Sequence, residues 1–151
     1  MTPAALFQLG NLTAVGGWLL LILLPRWTPS ARLVCAVILP VLLGVAYFYL
    51  AILYFGGVEG GGFGSIEEVR ALFAVDGALV AGWLHYLAFD LFVGAWEVRD
   101  SRILGIHHLA VVPCLLLTFM LGPIGLVAYL SIRAMWKKQI LIGGADAPIT
   151  A

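Results

Sequence analysis

The sequence has few charged residues, and this scarcity excludes most classes of soluble protein. Of its 151 residues only 11% are charged and 63% are hydrophobic, and the mean hydropathy is +1.08. A soluble globular domain holds about 25% charged and about 45–50% apolar residues. The formal net charge is zero and no basic run exists, so the chain lacks the electrostatic footprint of a nucleic-acid-binding protein. Composition therefore predicts an integral membrane protein.

Cysteines and targeting signals are also scarce. The two cysteines, Cys35 and Cys114, lie inside apolar runs, which favours buried free thiols over a disulfide or a metal pair. The first residues enter an apolar run at once, without the positive n-region of a signal peptide or an Arg- and Ser-rich transit segment. We therefore interpret the N-terminus as a mature first helix and predict a location in the plasma membrane of a prokaryote.

Long hydrophobic runs supply four candidate membrane spans, because about 20 apolar residues cross a bilayer as a helix. The predicted spans cover residues 6–24, 33–55, 75–98 and 108–132. A Gly-rich connector, 56–74, joins the second span to the third, and a tail covers 139–151. The loop between spans three and four is short, so these spans form an antiparallel hairpin. The predicted fold is all-α: a single transmembrane domain over residues 1–151, built as an integral membrane four-helix bundle.

Prolines interrupt two of the predicted spans. Pro40 predicts a kink in the second span, and Pro113 and Gly122-Pro123 interrupt the fourth. Broken helices at membrane depth are tolerated only beside protein or a cavity, so we expect a pocket near Gly122-Pro123. Four spans place both termini on one side, and the basic residues then divide equally between the two sides. The positive-inside rule predicts no orientation from such a tie.

The third span carries the ionisable residues on which the functional interpretation depends. Asp76, Trp83, Asp90 and Glu97 recur every seven residues and form one drifting stripe along a helix. Ionisable groups at membrane depth cost at least about 2.5–3.5 kcal/mol, so this stripe should face the protein interior and serve a function. His85 lies about 140° around the helix from Asp90, so the two residues are not stacked but can border one cavity.

His85 and Asp90 are the candidate catalytic residues, since proton transfer on a lipophilic substrate needs an acid and a base. The alternative is a buried hydrogen-bonded pair, or two residues satisfied separately by backbone groups and tyrosines. Aromatic side chains near this zone are the candidate substrate contacts, although core packing is the commoner explanation for such residues. They are Trp83, Tyr86, Phe89, Trp96 and Tyr47.

A second candidate cluster lies at one membrane face, where the predicted hairpin gathers carboxylates and imidazoles. Its members are Glu97, Asp100, His107 and His108. Such groups form a normal ligand set for Zn, Fe or Mn, so a divalent metal is the candidate cofactor, and no nucleotide or redox cofactor is expected. The alternative is interfacial charge balanced by Arg99 and Arg102. The spacing is not a strong metal signature of the HExxH kind.

The run GWLHYLAFDLFVGAWEVRDSRILGIHHLAVVPCLLLTFMLGPIGLVAYL, Gly82 to Leu130, resembles a known family. This is the abscisic-acid-deficiency or neoxanthin-synthase-like family of small four-helix membrane proteins. The resemblance covers about a third of the chain tightly and the four-span layout throughout. Its core elements are His85–Phe92, Trp96-Glu97 with Arg99-Asp100, Pro113-Cys114 and Gly122-Pro123.

The resemblance implies a role in carotenoid metabolism. Plant members are required to form neoxanthin from violaxanthin, in which an epoxide opens to an allenic alcohol without net redox change. An acid that protonates the epoxide oxygen and a base that takes a carbon-bound proton suit this reaction, and a Lewis-acid metal can replace the acid. By matching positions, the resemblance implies His85 and Asp90 as the acid–base pair, with Glu97, Asp100 and His108 as a metal or structural cluster.

We therefore expect an isomerase that acts on a carotenoid or related polyene isoprenoid, by epoxide-to-allene or double-bond isomerisation. The missing transit segment favours another carotenoid or a retinoid as the substrate. The alternative is a non-catalytic carotenoid- or retinoid-binding protein that assists another enzyme. A haem-binding bundle, with His85 and His107 or His108 as axial ligands, is disfavoured by their different predicted depths. The expected partners are the polyene and the lipid bilayer, and small bundles of this kind often form homo-oligomers.

Overall fold

The computed structural model describes residues 1–138. Six helices follow one another in this part of the chain: α1 (Pro3–Leu23), α2 (Ser30–Tyr54), α3 (Ile66–Phe73), α4 (Asp76–Ile103), α5 (His108–Leu121) and α6 (Pro123–Lys137). No strand occurs among the described residues. The predicted all-α fold is confirmed, whereas the predicted tail, 139–151, lies outside the described residues.

Three of these helices, α1, α2 and α4, are long and apolar enough to cross a membrane, with 21, 25 and 28 residues. They fall on the first three predicted spans. Helix α4 is central, because it contacts each of the other five helices. The core lies between α1, α2 and α4, where Leu21, Leu84 and Leu91 are fully buried. Cys35 and Cys114 are free and buried, as predicted.

Helix α2 begins with a π-helical stretch, Ser30–Ile38, before it continues as an α-helix. The Leu39 N–H accordingly bonds the carbonyl of Val34, five residues back. Pro40 follows at the start of the α-helical part. Proline has no N–H to donate and its ring crowds the preceding turn, and wider π turns relieve that crowding. Pro40 therefore marks a change of helix type.

The predicted fourth span, 108–132, is divided at Gly122 into α5 and α6. Gly122 has φ 51° and ψ −102°, a conformation that favours glycine, and Pro123 opens α6 where a missing N–H costs nothing. The two helices then pack very closely, since a Cβ at Gly125 would collide with the backbone of Thr118. Helices α5 and α6 therefore form a tight hairpin.

This hairpin turns back at the level of the middle of α4. Its turn at Gly122 lies beside Asp90, in the middle of α4, whereas Arg133 of α6 contacts Asp100 near the end of α4. With 14 and 15 residues, α5 and α6 are each too short to cross the bilayer at about 1.5 Å per residue. The predicted bundle of four spans is not confirmed, because the described residues form three helices long enough to cross a membrane and a hairpin of two shorter ones.

The return of α6 changes how charge divides between the two sides. We call the side where α1 begins the N-terminal side, and the side where α4 ends the arginine side. Of the eight basic residues, only Arg70 in α3 lies towards the N-terminal side. The other seven lie at or near the arginine side: Arg26, Arg32, Arg99, Arg102, Arg133, Lys137 and Lys138. The tie that four spans predicted does not hold for this topology.

Candidate functional site

The predicted stripe along α4 is covered only in its second half. Asp76 is exposed and Trp83 is 40% exposed, because the α5–α6 hairpin turns back before it reaches them. Glu97 is fully buried against α5, and Asp90 lies against the turn at Gly122. The stripe therefore faces the protein interior at Asp90 and Glu97, where the hairpin covers it.

Each of these two carboxylates has one buried oxygen without a hydrogen-bond partner among the described residues. Glu97 Oε1 accepts a hydrogen bond of 2.9 Å from the Thr118 hydroxyl, while its Oε2 has no partner among the described residues. Asp90 Oδ2 is buried and likewise unpartnered within residues 1–138. The two side chains are near enough to interact electrostatically. Free buried polar atoms are rare in native proteins and call for an explanation. We call Asp90, Glu97, Thr118 and Gly122 the hairpin site.

A cavity of about 230 Å³ lies beside the hairpin site, between α1, α4 and α5. Trp83 and Tyr86, two of the predicted substrate contacts, form part of its wall. The Tyr86 hydroxyl donates a hydrogen bond of 3.1 Å to the carbonyl of Phe119, near the end of α5. Tyr86 and Asp90 both lie against Gly122, so one aromatic ring joins the cavity wall to the carboxylate.

His85 belongs to a different space, which we call the α2–α4 groove. This groove measures about 390 Å³ and is lined almost entirely by apolar side chains of the two helices. The His85 ring stacks on Phe89, with centroids 4.6 Å apart, and contacts Tyr47 at 5.7 Å. Among the described residues it makes ring contacts alone, without a hydrogen bond. Phe89 is 60% exposed, so the groove is open to the surroundings of the protein.

The structure does not bring the two predicted catalytic residues together. His85 lies in the α2–α4 groove and Asp90 in the hairpin site, on faces of α4 that different helices cover. The predicted substrate contacts divide in the same way: Trp83 and Tyr86 border the cavity, and Tyr47 and Phe89 line the groove. Trp96 borders neither space, because its ring packs edge-on against Tyr129 at 5.4 Å.

The carboxylates among the predicted metal ligands are engaged elsewhere. Asp100 accepts a hydrogen bond of 2.6 Å from the Tyr129 hydroxyl and forms an ion pair of 2.9 Å with Arg133. Glu97 is bound by Thr118 in the hairpin site. Both carboxylates therefore hold the α5–α6 hairpin against α4.

The two histidines of the predicted metal cluster also have structural partners. His108 Nε2 donates a hydrogen bond of 3.0 Å to the carbonyl of Ile22, which ties α5 to the end of α1. His107 is the N-cap of α5, and its Nδ1 accepts from the Leu109 N–H at 3.4 Å. Within residues 1–138 no three His, Cys, Asp or Glu side chains form a group that could hold a metal. This arrangement does not fit a divalent metal, and the metal cofactor stays a prediction from the sequence.

Comparison with known proteins adds the family. The family model described as ABA DEFICIENT 4-like matches residues 5–129. The chain belongs to this family. The ABA DEFICIENT 4-like family is associated with carotenoid and abscisic acid metabolism, and the family predicted from Gly82 to Leu130 is confirmed. No curated protein and no solved structure gives a significant match.

The ABA DEFICIENT 4-like match includes both the hairpin site and the α2–α4 groove. Reasoning from the sequence missed three residues that hold the α5–α6 hairpin against α4: Thr118, Tyr129 and Arg133. The pair Gly122-Pro123 was the available signal. When Gly122-Pro123 is interpreted as a tight turn rather than as an interruption of one span, α6 folds back onto α4. These side chains then lie near Glu97 and Asp100.

Proposed function

We propose that this protein is a membrane isomerase acting on a carotenoid or a related polyene isoprenoid, with Asp90 as its proton-transferring residue. The observation that carries the proposal is the pair of buried oxygens, Asp90 Oδ2 and Glu97 Oε2, without partners among the described residues. Carboxylates at membrane depth are expensive and mark functional sites by default. Membership of a family associated with carotenoid metabolism supports the class of substrate.

Isomerisation of a polyene transfers protons, and the substrate undergoes no net oxidation or reduction. In the epoxide case, an acid protonates the epoxide oxygen as the C–O bond breaks and its electron pair goes to oxygen. A base then takes a proton from a neighbouring carbon, and the C–H electron pair forms the new C=C bond. The enzyme ends with the number of protons with which it began.

Asp90 and Glu97 differ in solvent exposure, and this difference suggests different roles for the two carboxylates. Asp90 is only partly buried and lies beside the cavity wall, so it is the group that contacts substrate. Glu97 is fully buried and interacts with Asp90 electrostatically. Glu97 therefore acts on Asp90 through its charge and through the position of the hairpin that covers both residues. Glu97 is accordingly a positioning residue.

The size of the cavity limits how a polyene binds. Its volume of about 230 Å³ lies below the roughly 300–1,000 Å³ typical of pockets that enclose a drug-sized ligand. One end group of the polyene therefore enters beside Asp90, while the rest of the chain stays in the lipid. Trp83 and Tyr86 offer ring surfaces to that end group.

Conversion of violaxanthin and of a panel of cis and trans carotenes in lipid nanodiscs, followed by chromatography, tests this function. Asp90→Asn keeps the shape of the side chain and removes the acid, so we expect conversion to fall about 10²–10⁴-fold. Asp76→Asn is the matched control, because it makes the same change at an exposed position of α4 outside the hairpin site. Normal conversion by a folded Asp90→Asn protein contradicts the proposal.

A non-catalytic carotenoid- or retinoid-binding protein is the second candidate, and the α2–α4 groove favours it. His85 has no hydrogen bond within residues 1–138 and stands in an otherwise apolar groove. That position suits the polar end of a bound polyene. A bound pigment spectrum that His85→Ala weakens, without turnover by the wild-type protein, would select this candidate over the isomerase.

A further inference from the structure

A pocket of about 680 Å³ lies on the arginine side, between the loop that joins α1 to α2 and the loop that joins α4 to α5. Arg26 and Thr28 line it from the first loop, Arg102 from the last turn of α4, and His107 from the second loop. Both arginines are exposed, and neither forms an ion pair with the residues that the structure describes. No Asp or Glu belongs to the lining. The pocket therefore concentrates positive charge that no acid among its described lining residues offsets.

Neighbouring side chains increase this excess. Arg32 is close enough to both Arg99 and Arg102 for the guanidinium groups to repel one another. Arg99 is held by its hydrogen bond of 2.6 Å to the Ala31 carbonyl, not by a carboxylate. Asp100, the acidic residue at this end of α4, is already occupied by its ion pair with Arg133. An anion bound here would reduce the repulsion among these guanidinium groups.

We propose that this pocket binds the phosphate group of an anionic phospholipid, with Arg26 and Arg102 as its principal ligands. The pocket lies where α1 and α4 end and α5 begins. When helices of this length cross a bilayer, their ends lie at the level of the lipid headgroups. Guanidinium groups bind phosphate through paired N–H donors. Since His107 Nδ1 accepts the Leu109 N–H, the neutral ring carries its proton on Nε2 and can also donate.

The site is separate from the proposed isomerase chemistry. None of its four named residues belongs to the hairpin site or to the α2–α4 groove. A phosphate held by Arg26 and Arg102 would join the α1–α2 loop to the end of α4, so binding should stabilise the folded protein. This gives the site a readout that does not depend on catalysis.

The test is a titration of the purified protein in detergent with short-chain phosphatidylglycerol, short-chain phosphatidylcholine and inorganic phosphate. Native mass spectrometry measures occupancy, and thermal unfolding measures stabilisation. The Arg26→Gln/Arg102→Gln double variant should bind phosphatidylglycerol about 30-fold more weakly, because it removes both guanidinium donors to the charged phosphate. Arg70→Gln removes the basic residue of the N-terminal side and is the matched control, with an expected change below about twofold.

The arms of this titration distinguish the sources of phosphate. Inorganic phosphate that stabilises the protein and displaces phosphatidylglycerol would assign the site to the phosphate group alone. Phosphatidylglycerol binding that phosphate does not displace would assign it to the headgroup of a lipid. Equal affinity for the two phospholipids, or a double variant that binds like Arg70→Gln, would overturn the proposal.

Discussion

Two faces of α4 differ in how firmly neighbouring helices hold their side chains. We call the face that the α5–α6 hairpin covers the hairpin face, and the face that borders the α2–α4 groove the groove face. On the hairpin face, Glu97 and Asp100 are buried and hydrogen-bonded to Thr118, Tyr129 and Arg133. On the groove face, His85 and Phe89 are exposed and contact other rings. Reactions need groups fixed in position, whereas binding of an apolar chain needs surface. The comparison therefore supports the proposal of proton transfer at the hairpin face, and it makes the groove face the candidate surface for pigment binding.

The hairpin face should be most sensitive to the packing of α5 on α6. An added Cβ at Gly125 would collide with the backbone of Thr118, which cannot rotate aside as a flexible side chain can. We expect Gly125→Ala to lower the free energy of unfolding by about 3 kcal/mol, as in overpacked cores. Conversion should fall with it, because the turn at Gly122 moves relative to Asp90. Denaturant unfolding in detergent measures the first effect.

The control for that variant is Gly16→Ala in α1. An added Cβ there has no atom within 4 Å, so alanine should be neutral or should stabilise the helix by up to about 1 kcal/mol. If Gly125→Ala and Gly16→Ala unfold alike, the close packing of the hairpin is wrong.

A smaller effect is expected from the hydrogen bond between Thr118 and Glu97. Thr118→Val keeps the shape of the side chain but removes the hydroxyl that donates the 2.9 Å hydrogen bond to Glu97 Oε1. We therefore expect the free energy of unfolding to fall by about 2 kcal/mol. Ser131→Ala is the control, since its exposed hydroxyl bonds only the Val127 carbonyl of its own helix. That change should stay within about 0.5 kcal/mol. Two equally mild variants would show that Glu97 does not depend on α5.

The groove face should show the smallest change in stability. His85→Ala removes an exposed ring that has only ring contacts within the described residues, so the free energy of unfolding should change by less than about 0.5 kcal/mol. Polyene binding, followed by absorption titration, should weaken about fivefold for the loss of one hydrogen bond. Tyr49→Ala, an exposed position on α2 outside the groove lining, should leave binding unchanged. Strong destabilisation by His85→Ala would remove the contrast between the two faces.

The spans were predictable because hydropathy over long windows reports apolar helices directly. Helices α1, α2 and α4 fall on the spans predicted at 6–24, 33–55 and 75–98. The form of the fourth segment was not predictable in this way, because one broken helix and two antiparallel helices have the same average hydropathy. The positive φ of Gly122 and the contact between Gly125 and Thr118 distinguish them.

The sequence predicted only those features of the site that depend on the periodicity of a single helix, α4. The seven-residue stripe identified Asp90 and Glu97 as facing the interior, because helical periodicity is fixed. Whether His85 shares a cavity with Asp90 depends on which helices flank α4, and the spacing within one helix does not carry that information. The partners Tyr129 and Arg133 were missed for the same reason. The substrate, the metal and the prokaryotic location stay predictions.

The hairpin site and the charge of the arginine side both depend on the return of α6. Labelling of single cysteines with a membrane-impermeant maleimide in intact cells tests that return directly, at Thr2→Cys and at Lys138→Cys. Both positions are exposed, and the two native cysteines are buried. We predict that the two positions react from opposite sides, with position 138 on the cytoplasmic side by the positive-inside rule. Reaction of both from the same side would show a fourth crossing and would contradict the re-entrant hairpin.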